Sequence, residues 1–280
     1  MSSTEAMYDL EPAELSIIQA MLSADSDYVR IGSDPETFLK DKNGRFISSV
    51  GLIGGSKEAP MPIGNGCSVQ EDNVTVEFNT PPTNSPEEFV NAINFNLNWI
   101  AKRAAELDLT VVFDPSAEFD DEQLNTEAAQ TFGCDPDFNA WNYGAANPRP
   151  TTKNKRLRSA GGHIHIEAPH LDKLALCQAM DLFVGVPMLK FDTDSRRREL
   201  YGKAGAYRPK EYGIEYRTAS NAWLQSDETK KWAFDQTQKA VKFVEAGKTI
   251  PPELGEMIQT AINTSNVNFV SDIEHWADSL

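Results

Sequence analysis

Two of the chain's four histidines sit in the run Gly161-Gly162-His163-Ile164-His165-Ile166. Apolar and polar residues alternate there, which reads as a β-strand. Side chains two apart on a strand share a face, so His163 lies beside His165 and Ile164 beside Ile166 on the other side. Two neighbouring imidazoles can ligate a metal or hold an anion, and they equally fit a solvated strand face. The two glycines let a backbone or a ligand come close. Three other runs carry complementary groups. Asp34-Pro35-Glu36 sets two carboxylates two apart, in backbone that Pro35 favours as extended, and such a pair repels unless a cation sits between them. In the run Gln70 to Pro82, Val74, Val76 and Phe78 make an apolar face, and Thr75, Glu77 and Asn79 make the opposite one. Glu215 and Arg217 share a face of the strand Tyr212 to Thr218. They either pair with each other or divide the work, with Glu215 on a metal and Arg217 on a phosphate.

The elements that must position these residues follow from periodicity. Residues 11–23 predict a helix, with Pro12 in the first turn and Leu15, Ile18 and Leu22 on one stripe. Residues 28–31 predict a strand, and 40–44 a hairpin tip with a return strand over 45–50. The glycine-rich stretch 51–57 lacks a full phosphate-loop pattern and reads first as a loop. Ser85-Pro86-Glu87-Glu88 predicts a helix start with a complete capping box, running to about Glu106. Residues 109–113 read as a buried strand. Residues 114–157 are rich in Asn, Asp, Pro and Gly and predict a long excursion of little regular structure. It leads into the basic run 153–158, either an anion-binding loop or a solvated one. Helices are expected over 171–189, 226–246 (begun by Ser226, ended by Gly247), about 253–263 and 267–276. Between the first two lies a cationic stretch containing Arg196-Arg197-Arg198, Lys203 and Arg208.

Composition narrows the classes. The chain has 280 residues, 40% hydrophobic and 24% charged, with a formal net charge of −16. That is ordinary for a folded soluble protein and of the wrong sign for long-range attraction to nucleic acid or an anionic membrane. No apolar run reaches membrane-spanning length, and the acidic N-terminus lacks the order of a secretion signal. Cys67, Cys134 and Cys177 are far apart and odd in number, which suggests a reducing compartment.

Taken in order, the paired acids Asp34-Pro35-Glu36, the acid strand ending in Thr80-Pro81-Pro82, the G-x-H-x-H strand and the E-x-R strand resemble the carboxylate–amine ligases of the glutamine synthetase and glutamate–cysteine ligase superfamily. The similarity is greatest to the phage-associated COOH–NH2 ligase family, type 2, over about residues 28–223. The resemblance implies an α+β fold: a curved, mainly antiparallel sheet bearing the site on its concave face, helices on the convex face, and a glutamine synthetase-like catalytic domain. The expected division is an N-terminal helical segment (1–25), a catalytic domain (26–225) and C-terminal helices packed on it (226–280). The implied reaction is ATP-dependent amide or peptide bond formation through an acyl phosphate, with Mg²⁺ or Mn²⁺ on the phosphates. By the same resemblance, Asp34, Glu36, Glu77, His163 and Glu215 hold metal. The remaining metal position falls at Gln70, so that Glu71 or Asp72 takes it over; strand phase with Glu77 favours Glu71. Arg217, Arg208 and Glu36 are the expected catalytic residues, and His165, Arg208, Lys203 and Arg217 the expected nucleotide contacts. The implied partners are a small-molecule or peptide carboxylate and an amine, with neither nucleic acid nor membrane, in the cytoplasm (the host's, for a phage-encoded chain). Two alternatives compete: a catalytically silent virion-associated or scaffold relative, and an ATP-dependent phosphotransferase of related fold.

Overall fold

The strands form where the alternating runs lie. In a computed structural model that describes residues 29–130 and 136–280, the first are β1 (Arg30–Ser33), β2 (Glu36–Asp41) and β3 (Phe46–Ile47), followed by β4 (Met61–Gly64), β5 (Cys67–Asp72) and β6 (Thr75–Asn79). Then come β7 (Leu109–Val112), β8 (Ser116–Glu118), β9 (Phe138–Asn139), β10 (Ala145–Ala146), β11 (Leu157–Ser159) and β12 (Ile164–Glu167). The hairpin β13 (Ala206–Lys210) and β14 (Gly213–Tyr216) completes the set. The expected helix over 11–23, the segment 1–25 and Cys134 lie outside the described residues.

One six-stranded sheet runs β1-β12-β14-β13-β9-β10, and a second runs β3-β2-β6-β5-β4 with β7 also on β2. Every pairing is antiparallel. β1 and β2 are one extended run interrupted at Asp34-Pro35, and they join the two sheets. The Thr80 N–H donates to the Ser33 carbonyl and the Phe78 N–H to the Pro35 carbonyl, while Ile31 bridges Thr83. On the other side the Glu36 N–H donates to the Gly161 carbonyl. The result is the expected mixed α/β architecture, a curled antiparallel sheet with helices packed against it.

Alternation sorts the side chains. Ile31, Phe78, Ile164, Ile166, Ile214 and Tyr216 are buried in one core with residues of three helices. These are Phe89, Ile93 and Ile100 of Pro86–Ala105, Leu176 and Met180 of Lys173–Met180, and Ala233, Phe234 and Val241 of Asp227–Glu245. The helices therefore cover the face opposite the acids. A second cluster joins Leu182 and Val186 to the C-terminal helices Pro252–Thr264 and Val270–Ala277.

Local chemistry accounts for the boundaries and for three corrections. Ser85 accepts the Glu88 N–H, but the Glu88 carboxylate goes to the Thr83 hydroxyl at 2.5 Å, so only half the capping box forms there. The full box is at Ser226 and Thr229. The strand expected over 109–113 is a half-buried edge on β2, not a buried one. The helix expected over 171–189 is α-helical over Lys173–Met180, passes through a π-helical turn at Asp181–Gly185 and resumes at Val186–Met188. A β-carbon on Gly185 would stand 2.6 Å from the Tyr216 hydroxyl, so this turn is where the helix makes room for that side chain.

Candidate active site

The junction of the two sheets carries the chemistry. Glu36 pairs with Glu77 across β2 and β6, and Gln70 pairs with Glu77 across β5 and β6. His165 pairs with both Gly32 and Glu215, and Arg208 pairs with Glu215 across the β13–β14 hairpin. Register thus brings acids from three strands, Glu36, Glu77 and Glu215, to one junction. They line a cavity of about 360 Å³ together with Asp34, Asp72, His163, Lys210 and Arg217.

Two groups of possible metal ligands lie there, each with ligand atoms mutually within 4.8 Å: Asp34, His165 and Glu215, and Glu36, Asp72 and Glu77. In the first, the Asp34 Oδ1 and His165 Nε2 atoms are 2.9 Å apart yet are not aligned as a hydrogen bond, and both are buried without another hydrogen-bond partner. A carboxylate oxygen and an imidazole nitrogen that converge in this way suit a shared cation, a proton or a metal ion; adjacent ligands of an octahedral ion with bonds near 2.1 Å lie about 3 Å apart. The Tyr212 hydroxyl meets the other ring nitrogen of His165 at 2.5 Å and fixes the ring. His163, expected as the ligand, is 5% exposed, with its Nδ1 3.4 Å from Asp34 Oδ1 and 4.0 Å from Glu215 Oε1. Both histidines therefore stand at this group, His165 closer to Asp34.

The second group is acid against acid. Burial first, then the neighbouring Asp72 charge, pushes the Glu36 carboxyl up to about 7, against the Gly161 N–H that donates to it at 2.8 Å. Burial and then the charges of Asp34, Glu36 and Asp72 hold Glu77 well above the usual carboxylate range. Carboxylates packed this way prefer a proton or a divalent cation to bare ionisation, and all-oxygen sets suit hard ions such as Mg²⁺. The donor set fits the implied metal.

Opposite charges complete the cavity. Glu215, 1% exposed, receives Arg208 Nη1 at 3.2 Å, Lys210 Nζ at 2.8 Å and the Arg217 guanidinium in closer contact still. Burial would raise its carboxyl, but Arg217 leads the charges that hold it at about 2. The pairing of Glu215 with Arg217 that their spacing allows does form. Burial and then Arg217 push His163 down to about 4. For Asp34 and His165 burial is again the largest effect, and their mutual attraction overrides it, lowering Asp34 and raising His165.

Four expectations meet a different geometry. Glu71 does not join Glu77: residue parity does not carry across the turn at Asn73, and register puts Gln70 opposite Glu77 and Glu71 opposite Val76. The Glu71 carboxylate instead accepts the N–H groups of Gly51, Ile53 and Gly54 at 2.7, 2.8 and 2.7 Å. Those amides of the glycine-rich loop are thereby committed to a carboxylate of the same chain. Gln70 donates to Glu77 Oε1 at 3.0 Å, and Asp72 supplies the third acid. Lys203 is exposed and does not line the cavity; its carbonyl accepts the Thr218 hydroxyl, and Lys210, absent from the expected set, is the lysine that reaches Glu215. The basic run is held by carbonyls and acids of its own chain, and one residue of it still lines the cavity: Arg156 bonds the Phe119 carbonyl and Asp120, and Arg158, in the cavity wall, bonds the carbonyls of Ala129, Lys155 and Leu157. Lys210 sits two residues after Arg208 in an alternating strand, the signal that would have found it.

The two glycines before His163 make room, Gly161 for the His163 ring and Gly162 for the backbone of Ser220. A β-carbon on Gly161 would lie 2.2 Å from His163 Nε2, and one on Gly162 would lie 2.0 Å from the Ser220 carbonyl oxygen.

Comparison with known proteins finds a family match over part of the chain. The model of the family described as phage phiEco32-like COOH.NH2 ligase-type 2 matches residues 153–261. That segment contains His163, His165, Arg208, Glu215 and Arg217. The match bears out the expected resemblance over this segment. None of the curated proteins matches the chain in sequence. A solved structure titled "GmaS/ADP complex-Conformation 1" superposes with a TM-score of 0.37 at 11% identity, covering 95% of this chain and 73% of that one. No described helix is long and apolar enough to cross a membrane.

Proposed function

We propose that the chain joins a carboxylate to an amine with ATP as co-substrate, through an acyl phosphate, in the cavity at the sheet junction. The observation that carries this reading is that one cavity gathers the acids of two possible metal-ligand groups and, paired with Glu215 of the first, the cations Arg208, Lys210 and Arg217. Phosphoryl transfer asks for metal-holding acids and phosphate-binding cations in one place, because positioning and neutralisation of the phosphates do most of the work.

Asp34, His165 and Glu215, with His163 beside them, would hold one divalent ion, and Glu36, Asp72 and Glu77 another; bound there, such ions neutralise the phosphate charge. Arg208, Lys210 and Arg217 orient the triphosphate and meet the charge that develops on the γ-phosphoryl oxygens. A carboxylate oxygen of the acid attacks the γ-phosphorus, the bond to the bridging oxygen breaks, and ADP leaves. The amine nitrogen then attacks the acyl carbon, the carbon–oxygen bond breaks, and inorganic phosphate leaves as the nitrogen loses a proton. The buried walls at Glu77, His163 and Glu215 keep bulk water from competing for the acyl phosphate.

Incubation with ATP, Mg²⁺, candidate acids and hydroxylamine tests the reading. ATP-dependent hydroxamate formation is the expected result. A stable phosphorylated product without hydroxamate would favour a phosphotransferase, and absence of nucleotide binding a silent relative.

A further inference from the structure

The antiparallel ladder that carries the site is irregular at its most charged point. β12 and β14 pair regularly as far as Ile164 and Tyr216, and the next bridge joins Gly161 to Ser220. Between them Gly162 and His163 face Arg217, Thr218 and Ala219, one residue more on the second strand. This is a β-bulge, which leaves ladder groups unpaired and re-aims side chains. Gly162 keeps one bond, from its N–H to the Ala219 carbonyl. The carbonyls of Arg217 and Thr218 are left facing inward.

Arg197 occupies that gap. It is 1% exposed, and its guanidinium donates to the carbonyls of Ala160 at 3.0 Å, Thr218 at 2.8 Å and Arg217 at 3.3 Å. These bonds go to backbone oxygens rather than to a carboxylate. A buried cation is costly to place, and this one is spent on tying together two strand ends. Burial, more than any neighbouring charge, pulls it down to about 10. Gly202 makes the arrangement possible: its φ is +74°, and a β-carbon there would lie 1.6 Å from Arg197 Nη1.

We propose that Arg197 is a positioning residue: its guanidinium replaces the missing ladder bonds of the bulge and so aims Arg217 at Glu215 and the cavity, with Gly202 as the position that admits it. The effect on turnover rests on the ligase reading; the effect on the bulge does not.

The test compares Arg197→Lys, Arg197→Met and Gly202→Ala with the wild type, by crystal structure and by hydroxamate kinetics. Cooperative melting is the control for folding, and Arg197→Lys and Gly202→Ala carry the test if Arg197→Met fails to fold. Displacement by about 1 Å can cost on the order of 100-fold in rate. The expected result is that Arg197→Met and Gly202→Ala move Arg217 off Glu215 and lower kcat by about that factor, while the KM for ATP stays within about threefold. Arg197→Lys, which keeps the charge but not the three-way fork, falls between them and the wild type. An unmoved bulge in the variants overturns the proposal, and so does a moved bulge with unchanged kcat. If the wild type itself forms no hydroxamate, the ligase reading fails separately and the position of Arg217 in the variant structures alone decides the role of Arg197.

Discussion

Glu71 and Asp72 are neighbours in sequence with opposite duties. Asp72 faces the cavity beside Glu36 and Glu77, and Glu71 faces away, holding three loop amides. Asp72→Asn should weaken Mn²⁺ binding at least about tenfold, read by titration calorimetry, with little change in stability, because a carboxylate ligand is lost from a hard-ion set. Glu71→Gln should do the reverse: Mn²⁺ affinity unchanged and a loss of about 1–3 kcal/mol in denaturant unfolding, the cost of weakening bonds to a charged acceptor. A matching loss of Mn²⁺ affinity in Glu71→Gln would return that residue to the site. Glu77→Gln and Arg217→Ala should each lower hydroxamate formation by about 100-fold or more while still melting cooperatively, Arg217→Ala at a lower temperature because it strands the buried Glu215. An unchanged rate in either variant removes that residue from the assignment.

The same hairpin is supported from behind by one element. Asp181, in the π-helical turn, accepts the Tyr216 hydroxyl at 2.8 Å, the Trp141 indole N–H at 2.7 Å and the Gly205 N–H at 2.5 Å. Tyr216 stands between Glu215 and Arg217, so this buried acid fixes the strand from the core side. Burial, against those bonds, pushes its carboxyl up from 3.8 to about 6. A carboxyl raised on folding contributes stability that is fully present below its unfolded value and is lost as pH rises through its folded value. Stability should therefore decline between about pH 4 and pH 6 by about 3 kcal/mol from this group. Asp181→Asn should make that decline shallower in urea titrations at several pH values, leaving the share that belongs to Glu36 and Glu77; an unaltered slope would show that Asp181 contributes none of it. None of this was legible in the sequence, because a helical stripe broken by a π turn still reads as one helix over 171–189. The hairpin tip near Gly44, the cap at Ser85 and the stop at Gly247 were legible, since each depends on a few adjacent residues.

At the scale of the whole molecule, which residues meet was only partly legible. Alternation identified the face of Glu77, His163, His165, Glu215 and Arg217, while strand order and register decided that Asp72 and Lys210 join them and that Glu71 and Lys203 do not. A chain with a net charge of −16 nonetheless gathers arginine and lysine beside its buried acids, so the cavity is a local exception to the acidic exterior. Cation binding there should stabilise the entire fold by mass action: Mn²⁺ at 100 times its dissociation constant adds about 2.7 kcal/mol, read as a raised melting temperature that a chelator reverses. A melting temperature indifferent to both Mn²⁺ and chelator would count against either acid group as a cation site. Asp34 belongs to one ligand group and Glu36 to the other, with the single residue Pro35 between them. That gap cannot be lengthened. One inserted residue would turn Glu36 from the hollow toward the apolar interior and uncouple the two halves of the molecule at a stroke, whereas the exposed parts of the 114–157 excursion can absorb additions, so tolerance of insertions should collapse over a three-residue window and be widest in those exposed stretches.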